Sequence, residues 1–443
     1  MAKANRIINA LWGDLKGEEL KKFSLLALGF FFLIGSYWPL KTLKDSIFIN
    51  IVGQENLPYA KMISLALFFP LVLAYSKLID HFSKEAMIYG LILFYGILGL
   101  AFVAALYHPT IGLQNTQVSS GRLLGWLFFV YVESYISLMV SLYWSFVNDI
   151  TTPESAKKGY GLIIFGTQLG GFLFILLGHH LSANPENYAQ SAPLIVLICV
   201  SFFFAIALII FLLQHVVHAE HLISYEDKHS IQAEKETTVG FLDGLKVLVT
   251  RPYVAGIFGI IFFHEFTSTI MGYQMFCIAK ATYPNAGLFN KFMFDYALAV
   301  QGIACLFGLV GTSFFQRRFG IKFCIVAYPV LLGLFILSFI ISPTLNSIFC
   351  VMLIAKAINF ALNQPAKEVL YIPTSKNIKF KSKAWVDMFG MRFAKGIGSM
   401  VNKIPSVTLP FVIVLSIIGL WTGLSNALGN YYQKAVADKK LIE

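Results

Sequence analysis

His218-Ala219-Glu220-His221, with Glu226-Asp227-Lys228 and Glu234-Lys235-Glu236 after it, belongs to the longest polar stretch of this 443-residue chain, roughly 215–252. On either side the chain is a succession of apolar runs. Six precede the stretch, near 23–43, 57–79, 86–107, 123–147, 159–179 and 193–214. Six follow it, near 253–278, 293–315, 323–342, 346–366, 385–402 and 406–428. A run of about 20 apolar residues, coiled as a helix, crosses a hydrocarbon layer ~30 Å thick. Water is absent at that depth, so the backbone must satisfy itself, and the runs are expected to be helices. The reading is an all-α membrane protein of about twelve transmembrane helices in two six-helix, pseudo-symmetric bundles. Residues 1–215 form the first bundle, 216–252 a linker and 253–443 the second.

Composition agrees with that class. Hydrophobic residues make up 57% and charged residues 13%, against about 25% charged in soluble domains. Mean hydropathy is +0.71. The N-terminus is polar, with Lys3, Arg6, Asp14, Lys16, Lys21 and Lys22 before the first span, and reads as lacking a cleavable signal. The halves echo each other weakly. Lys77-Leu78-Ile79-Asp80-His81-Phe82-Ser83-Lys84-Glu85 joins the second and third spans. Phe314-Phe315-Gln316-Arg317-Arg318-Phe319-Gly320-Ile321-Lys322 joins the eighth and ninth.

Loop cations set the orientation. One side collects the N-terminus, Lys77, Lys84, Lys157, Lys158, Arg317, Arg318, Lys322, Lys376, Lys379, Lys381, Lys383, Lys434, Lys439 and Lys440. The other includes 182–186 and 342–344, which carry no cation. Both termini and the linker are therefore expected in the cytoplasm. The net charge of +11 is explained by these loops near anionic lipid and does not argue for nucleic acid binding. Cys199, Cys277, Cys305, Cys324 and Cys350 lie in or beside spans without a Cys-x-x-Cys pair, and read as small core residues. No His-Glu-x-x-His or Gly-x-x-x-x-Gly-Lys-Ser/Thr pattern occurs. No catalytic constellation, metal site or cofactor is expected, and the chain reads as a non-enzyme.

The informative residues are the ionisable groups inside spans, which are costly there and mark pathways. The cations are Lys41, Lys44, Lys356, Arg392 and Lys395, with Lys280 at the end of the seventh span. The acids are Asp45, Glu133, Glu265, Asp295 and Asp387. Lys41 and Lys44 are three apart, as are Arg392 and Lys395, so each pair shares a helix face. Two such pairs suit a phosphorylated anion such as a nucleoside di- or triphosphate, which needs several cations to leave water. The alternative is internal pairing, Lys44 with Asp45 and Arg392 with Asp387. Lys41 and Lys44 also stand where the first apolar run ends, and snorkelling is a second alternative. The eleventh span, with Asp387, Arg392 and Lys395, reads as a polar helix lining a cavity or as an amphipathic helix on the membrane surface.

Leu40-Lys41-Thr42-Leu43-Lys44-Asp45 is one of several segments that resemble a known family. The others are Ala366-Lys367-Glu368-Val369-Leu370-Tyr371-Ile372-Pro373, Lys381-Ser382-Lys383-Ala384-Trp385-Val386-Asp387, Arg392-Phe393-Ala394-Lys395-Gly396-Ile397-Gly398-Ser399 and Trp144-Ser145-Phe146-Val147-Asn148-Asp149. The chain resembles the nucleotide transporter family of plastids and obligate intracellular bacteria. Its best-known members are ATP/ADP translocases, divergent relatives of the major facilitator superfamily. The resemblance places Lys44 on the family's first-span lysine, Lys41 on a nearby arginine and Lys395 on the lysine of a glycine-rich segment. It implies phosphate contact by Lys41, Lys44 and Lys395; Arg392, on the same helix face as Lys395, joins them as a candidate phosphate ligand, and Gly396 and Gly398 allow close backbone approach.

Departures accompany the resemblance. A gap-free match puts the family's fourth-span glutamate at Val132, one residue before Glu133. Its seventh-span glutamate and Trp-Lys fall on Gly272, Met275 and Phe276, with Glu265 seven residues earlier. The expected function is secondary transport of nucleotides by alternating access, the halves rocking about a central site, either as ATP/ADP exchange or coupled to protons. Glu133, Glu265 and Asp387 are the coupling candidates, and Tyr37 and Trp38 the candidates for stacking a base. His264 reads as a satisfied helix histidine or a proton relay. The implied setting is a bacterial inner membrane and a monomer. The rival readings are proton-coupled transport of another organic phosphate or NAD, and a transport-inactive protein of the same fold.

A cysteine placed at Glu234 on a cysteine-free background is expected to resist impermeant thiol reagents added from outside. Labelling there without permeabilisation would reverse the orientation.

Overall fold

A computed structural model of the chain describes residues 17–218, 222, 246, 248–310, 313–371, 373–374, 386, 390–404 and 409–438. Most of the linker, Asp387 and the lysine run 376–383 lie outside these residues. Helix accounts for nearly all the rest. The first six helices are α1 Gly17–Ile51, α2 Leu57–His81, α3 Lys84–Tyr107, α4 Leu123–Asp149, α5 Pro153–Leu181 and α6 Tyr188–Val216. After the linker come α7 Pro252–Thr282, α8 Ala286–Val310, α9 Ser313–Ile341, α10 Leu345–Leu370, α11 Met391–Val401 and α12 Leu409–Ala437. Among the described residues, nine helices are long and apolar enough to cross a membrane. Among the described residues the fold is that of an all-α, multi-pass membrane protein, with helices at the places of the apolar runs.

Local chemistry explains several boundaries. Thr152 caps α5 by accepting from the Ser155 amide, and Pro153 starts the helix where a missing N–H costs nothing. Ser83 caps α3 in the same way through the Ala86 amide. Thr344 and Ser347 form a reciprocal capping box at the start of α10. In α9, Gly320 has φ +80°, a conformation that other residues adopt at a cost, and the helix is broken there. Arg122, just before α4, closes the 108–122 segment. Its guanidinium donates to the carbonyls of Ile111, Gly112, Asn115 and Gln117 at 2.6–2.9 Å.

Two helices depart from their sequence expectation. The first apolar run ends near Leu43, but α1 continues to Ile51, and Ile47, Phe48 and Ile49 beyond Lys44 are buried. Lys44 is thus inside a helix rather than at its wet end. Its own charge lowered the apparent hydropathy of a segment whose packing is apolar on both sides. Within α10, Asn359–Asn363 form a π-helical turn. Pro365 follows and has no N–H to give the carbonyl of Ala361, and a wider turn absorbs the mismatch. Such turns concentrate at functional positions. Asn363 donates to Asn359 at 2.8 Å, and Asn359 in turn donates to Gln364 at 3.4 Å.

Contacts divide the chain into two compact units. One holds most of the first six helices with Asn285–Cys305 of α8, and the other holds Lys61–Leu65 of α2, Glu236–Pro284 and Leu306–Glu443. In the first unit, α1 packs mainly on α5 and α6, and α3 packs on α6. The α1–α5 contact rests on Gly166-Thr167-Gln168-Leu169-Gly170. A Cβ on Gly166 would lie 2.6 Å from the carbonyl oxygen of Ala27, and one on Gly170 would strike that of Phe31. Small residues four apart let helices approach closely where apolar burial against lipid offers no driving force. In the second unit, α7 carries α11 and α12, and α9 packs on α12.

Gly170→Leu is expected to abolish folded protein, because no side-chain rotation relieves an overlap with backbone. Gly302→Ala, whose Cβ would meet nothing within 4 Å, should express and melt like wild type. Size-exclusion profiles and melting curves in detergent test the contrast.

Candidate functional site

In the first unit the site is built from α1 and α4. Lys44 is buried, and its side chain is 4% exposed. Its ammonium contacts Glu133 Oε1 of α4, stands 3.2 Å from Asp45 Oδ1 and lies 4.2 Å from the centre of the Phe129 ring. Asp45 alone was within sequence reach as a partner. Glu133 is 89 residues away, and no local pattern announces the pairing. Val132, the position a gap-free match selects, is fully buried in packing. The carboxylate that faces the first-helix lysine therefore comes from Glu133. Its side chain keeps 30% exposure, and Ser137 donates to its backbone carbonyl at 2.8 Å.

Lys41 lies one turn before Lys44 and has a different environment. Its ammonium sits 4.7 Å from the centre of the Trp38 ring and 5.4 Å from that of Tyr37, with the Tyr37 hydroxyl at 3.4 Å. Both rings that are expected to stack a base thus lie under the Lys41 ammonium, a contact worth about 0.5–2 kcal/mol. The rings meet edge to face, with centres 5.2 Å apart.

In the second unit α7, α10 and α11 supply the charges. Glu265 of α7 pairs with Lys395 of α11 at 3.5 Å; Glu265 is 17% exposed and Lys395 53%. Lys356 of α10 stands 3.5 Å from the Ser268 hydroxyl of α7. The charges of Lys395, Lys356 and Lys367 all act on Glu265. Lys367 and Ser268 were not among the sequence candidates. Lys367 lies in the 366–373 segment that carries the family resemblance, which was the available signal.

Arg392 and Lys395 lie on one short helix, α11. Its two glycines are accounted for by packing. A Cβ on Gly398 would come within 3.0 Å of the Phe266 carbonyl, and one on Gly396 within 2.7 Å of the Leu65 side chain. They bring α11 against its neighbours, and the close approach observed is protein to protein. His264 is 6% exposed, shares a hydrogen bond of 2.8 Å with the Tyr328 hydroxyl and lies against Trp421. It is a satisfied helix histidine. Asp387 lies outside the described residues.

Each unit thus carries a lysine matched to a glutamate from a different helix, inside a helical membrane fold. Similar solved structures include a bacterial homologue of the iron transporter ferroportin, inward-facing, at TM-score 0.65 and 12% identity over 93% of this chain and 98% of that one. A bacterial homologue of the human lysosomal transporter Spinster follows at 0.62 and 14%, over 94% and 98%. The family described as TLC ATP/ADP transporter matches residues 2–420, and the chain belongs to it. Similar relatives include ADP,ATP carrier protein 2, chloroplastic, of Arabidopsis thaliana, 24% identical over 95% of this chain and 76% of that protein. ADP,ATP carrier protein 3 of Rickettsia bellii is 23% identical over 94% and 95%.

If Lys44 and Glu133 stabilise one another, Lys44→Met and Glu133→Gln should each lower stability by more than their effects in combination imply. A double-mutant cycle in detergent is expected to return a coupling on the order of 1–3 kcal/mol. Additive effects would mean that the contact contributes nothing.

Proposed function

We propose that this chain is a secondary carrier of nucleotides, ATP and ADP or close relatives, working by alternating access in a bacterial cytoplasmic membrane with both termini inside. The observation that carries the reading is the pair of lysine–glutamate contacts, Lys44 with Glu133 and Lys395 with Glu265. A lysine buried in the membrane needs an anion. In the absence of substrate the glutamate is that anion. A nucleotide phosphate brings stronger and more numerous acceptor oxygens and takes the glutamate's place. Family membership and the names of the relatives support the nucleotide over other phosphorylated anions.

Lys41 and Lys44 of the first unit and Arg392 and Lys395 of the second are the phosphate ligands in this reading. Lys356 and Lys367 add charge around Glu265. The exchange of partners also supplies a route to coupling. A carboxylate that loses its ammonium partner in a poorly hydrated setting tends to take up a proton. Glu133, displaced from Lys44, is the residue to which we assign that proton, so uptake is driven at least partly by protons. Strict exchange of ATP for ADP uses the same ligands without the proton.

Lys44→Ala and Lys395→Ala should each cut uptake of labelled nucleotide into proteoliposomes about tenfold or more, since one lost hydrogen bond to a charged group is worth roughly 1.5–3 kcal/mol. Lys381→Ala should do less. Unchanged uptake in both site variants at equal reconstitution removes the clamp. An imposed inward proton gradient should accelerate wild-type uptake and leave Glu133→Gln unmoved. Uptake that ignores the gradient and depends strictly on internal nucleotide would make the chain an exchanger.

A further inference from the structure

Gln301 is a polar side chain inside α8 that the nucleotide reading has not used. It belongs to Asn285–Cys305, the portion of α8 that clusters with the first unit. The residue is 2% exposed, and its amide nitrogen has no hydrogen-bond partner. Buried polar groups are almost always satisfied. A glutamine that only joins helices in lipid bonds across to a neighbouring helix, and this nitrogen finds no such acceptor. Its position is specific. A Cβ on Gly171 of α5 would lie 2.6 Å from Gln301 Nε2, and 3.0 and 3.3 Å from Cδ1 and Nε1 of Trp38. The unpartnered amide and the five-membered edge of the Trp38 ring therefore meet at Gly171.

Trp38 links this point to the lysines of the first unit. The Lys41 ammonium lies 4.7 Å from the centre of its ring. Lys41 and Lys44 follow Trp38 along α1 by about 4.5 and 9 Å of helical rise. A nucleotide has the same layout, with its base at one end and its phosphates at the other. A glutamine amide offers one donor and one acceptor side by side. That pattern matches N7 and the N6 amino group of adenine, whereas the same edge of guanine presents two acceptors, N7 and O6. We propose that Gln301 is the residue that selects the base. Its amide pairs with N7 and N6 of an adenine lying beside the Trp38 edge, while Lys41 and Lys44 hold the phosphates. The substrates are then adenine nucleotides in preference to guanine nucleotides. Gly171 leaves the amide its room, since any side chain there would strike it. The assignment rests on the nucleotide reading of the lysine site.

The test is calorimetric binding of ADP, GDP and tripolyphosphate to the purified full chain in detergent. Wild type is expected to bind ADP about tenfold more tightly than GDP, the discrimination that one bidentate pair supplies. Gln301→Met, which keeps the length of the side chain and removes the amide, should lose that preference by weakening ADP alone. Tripolyphosphate carries phosphates without a base and should bind both proteins alike. In wild type, 7-deaza-ADP, which lacks the N7 acceptor, should bind more weakly than ADP, a comparison that needs no variant. Equal affinity of wild type for ADP and GDP, or for ADP and 7-deaza-ADP, overturns the assignment and leaves the lysine site standing. So does a preference retained in folded Gln301→Met. Equal weakening of all three ligands in Gln301→Met also overturns it, by making Gln301 a packing residue. Wild type that binds neither nucleotide nor tripolyphosphate would remove the nucleotide reading itself, and this assignment with it.

Discussion

An ammonium group inside a hydrocarbon layer must be matched by negative charge, and the arrangement around Lys44 follows from that requirement. The helix that bears it runs on through buried Ile47, Phe48 and Ile49, so the side chain has no short route to water at that end. Asp45 and Glu133 supply the compensation from within the fold. The same rule operates on Lys395, with a difference of degree. That lysine is half exposed and its partner is 3.5 Å away, so solvent shares the task and the pair is the looser of the two. A buried pair is expensive to make and more expensive to break on one side only. A carrier can exploit this, because an incoming anion replaces a partner rather than binding a bare charge.

Packing gives these charges their positions. The Gly166–Gly170 spacing lets α5 meet the backbone of α1, which fixes the helix carrying Lys41 and Lys44. Gly398 does the same for α11 against α7, which brings Lys395 to Glu265. In both units a glycine-mediated contact on one face of a helix accompanies a charged contact made by that helix. Helices in lipid gain little from apolar burial against each other, so close backbone approach and a few polar contacts carry the specificity of their arrangement.

Much of this was legible in the sequence, and the reasons the rest was not are physical. Long apolar runs announce helices because the bilayer permits little else, and among the described residues nine helices are long and apolar enough to cross. Helix ends were less legible. Lys44 and Asp45 made α1 look as if it stopped, because hydropathy counts a charge without knowing its partner. Glu133 was one residue off the family's position, and only the folded packing of Val132 decides which side chain turns toward Lys44. Tyr37 and Trp38, the candidates for stacking a base, have Lys41 over both rings, a contact that spacing along the chain does not announce. Lys367, Ser268 and the π-helical turn went unremarked because their significance comes from a three-dimensional neighbourhood. The Gly-x-x-x-Gly of α5 is a local pattern and was there to be read.

The central claim is that carboxylate and phosphate compete for the same lysine. Calorimetric binding of nucleotide to purified wild type and Glu133→Gln tests it most directly. Removing the charge of Glu133 removes the competitor while Asp45 still accompanies Lys44. The account predicts that Glu133→Gln binds nucleotide about tenfold more tightly than wild type, a gain of about 1.4 kcal/mol. Equal or weaker binding by Glu133→Gln, in protein shown to be folded, would contradict it and make Glu133 a ligand or a packing residue instead of a displaced partner.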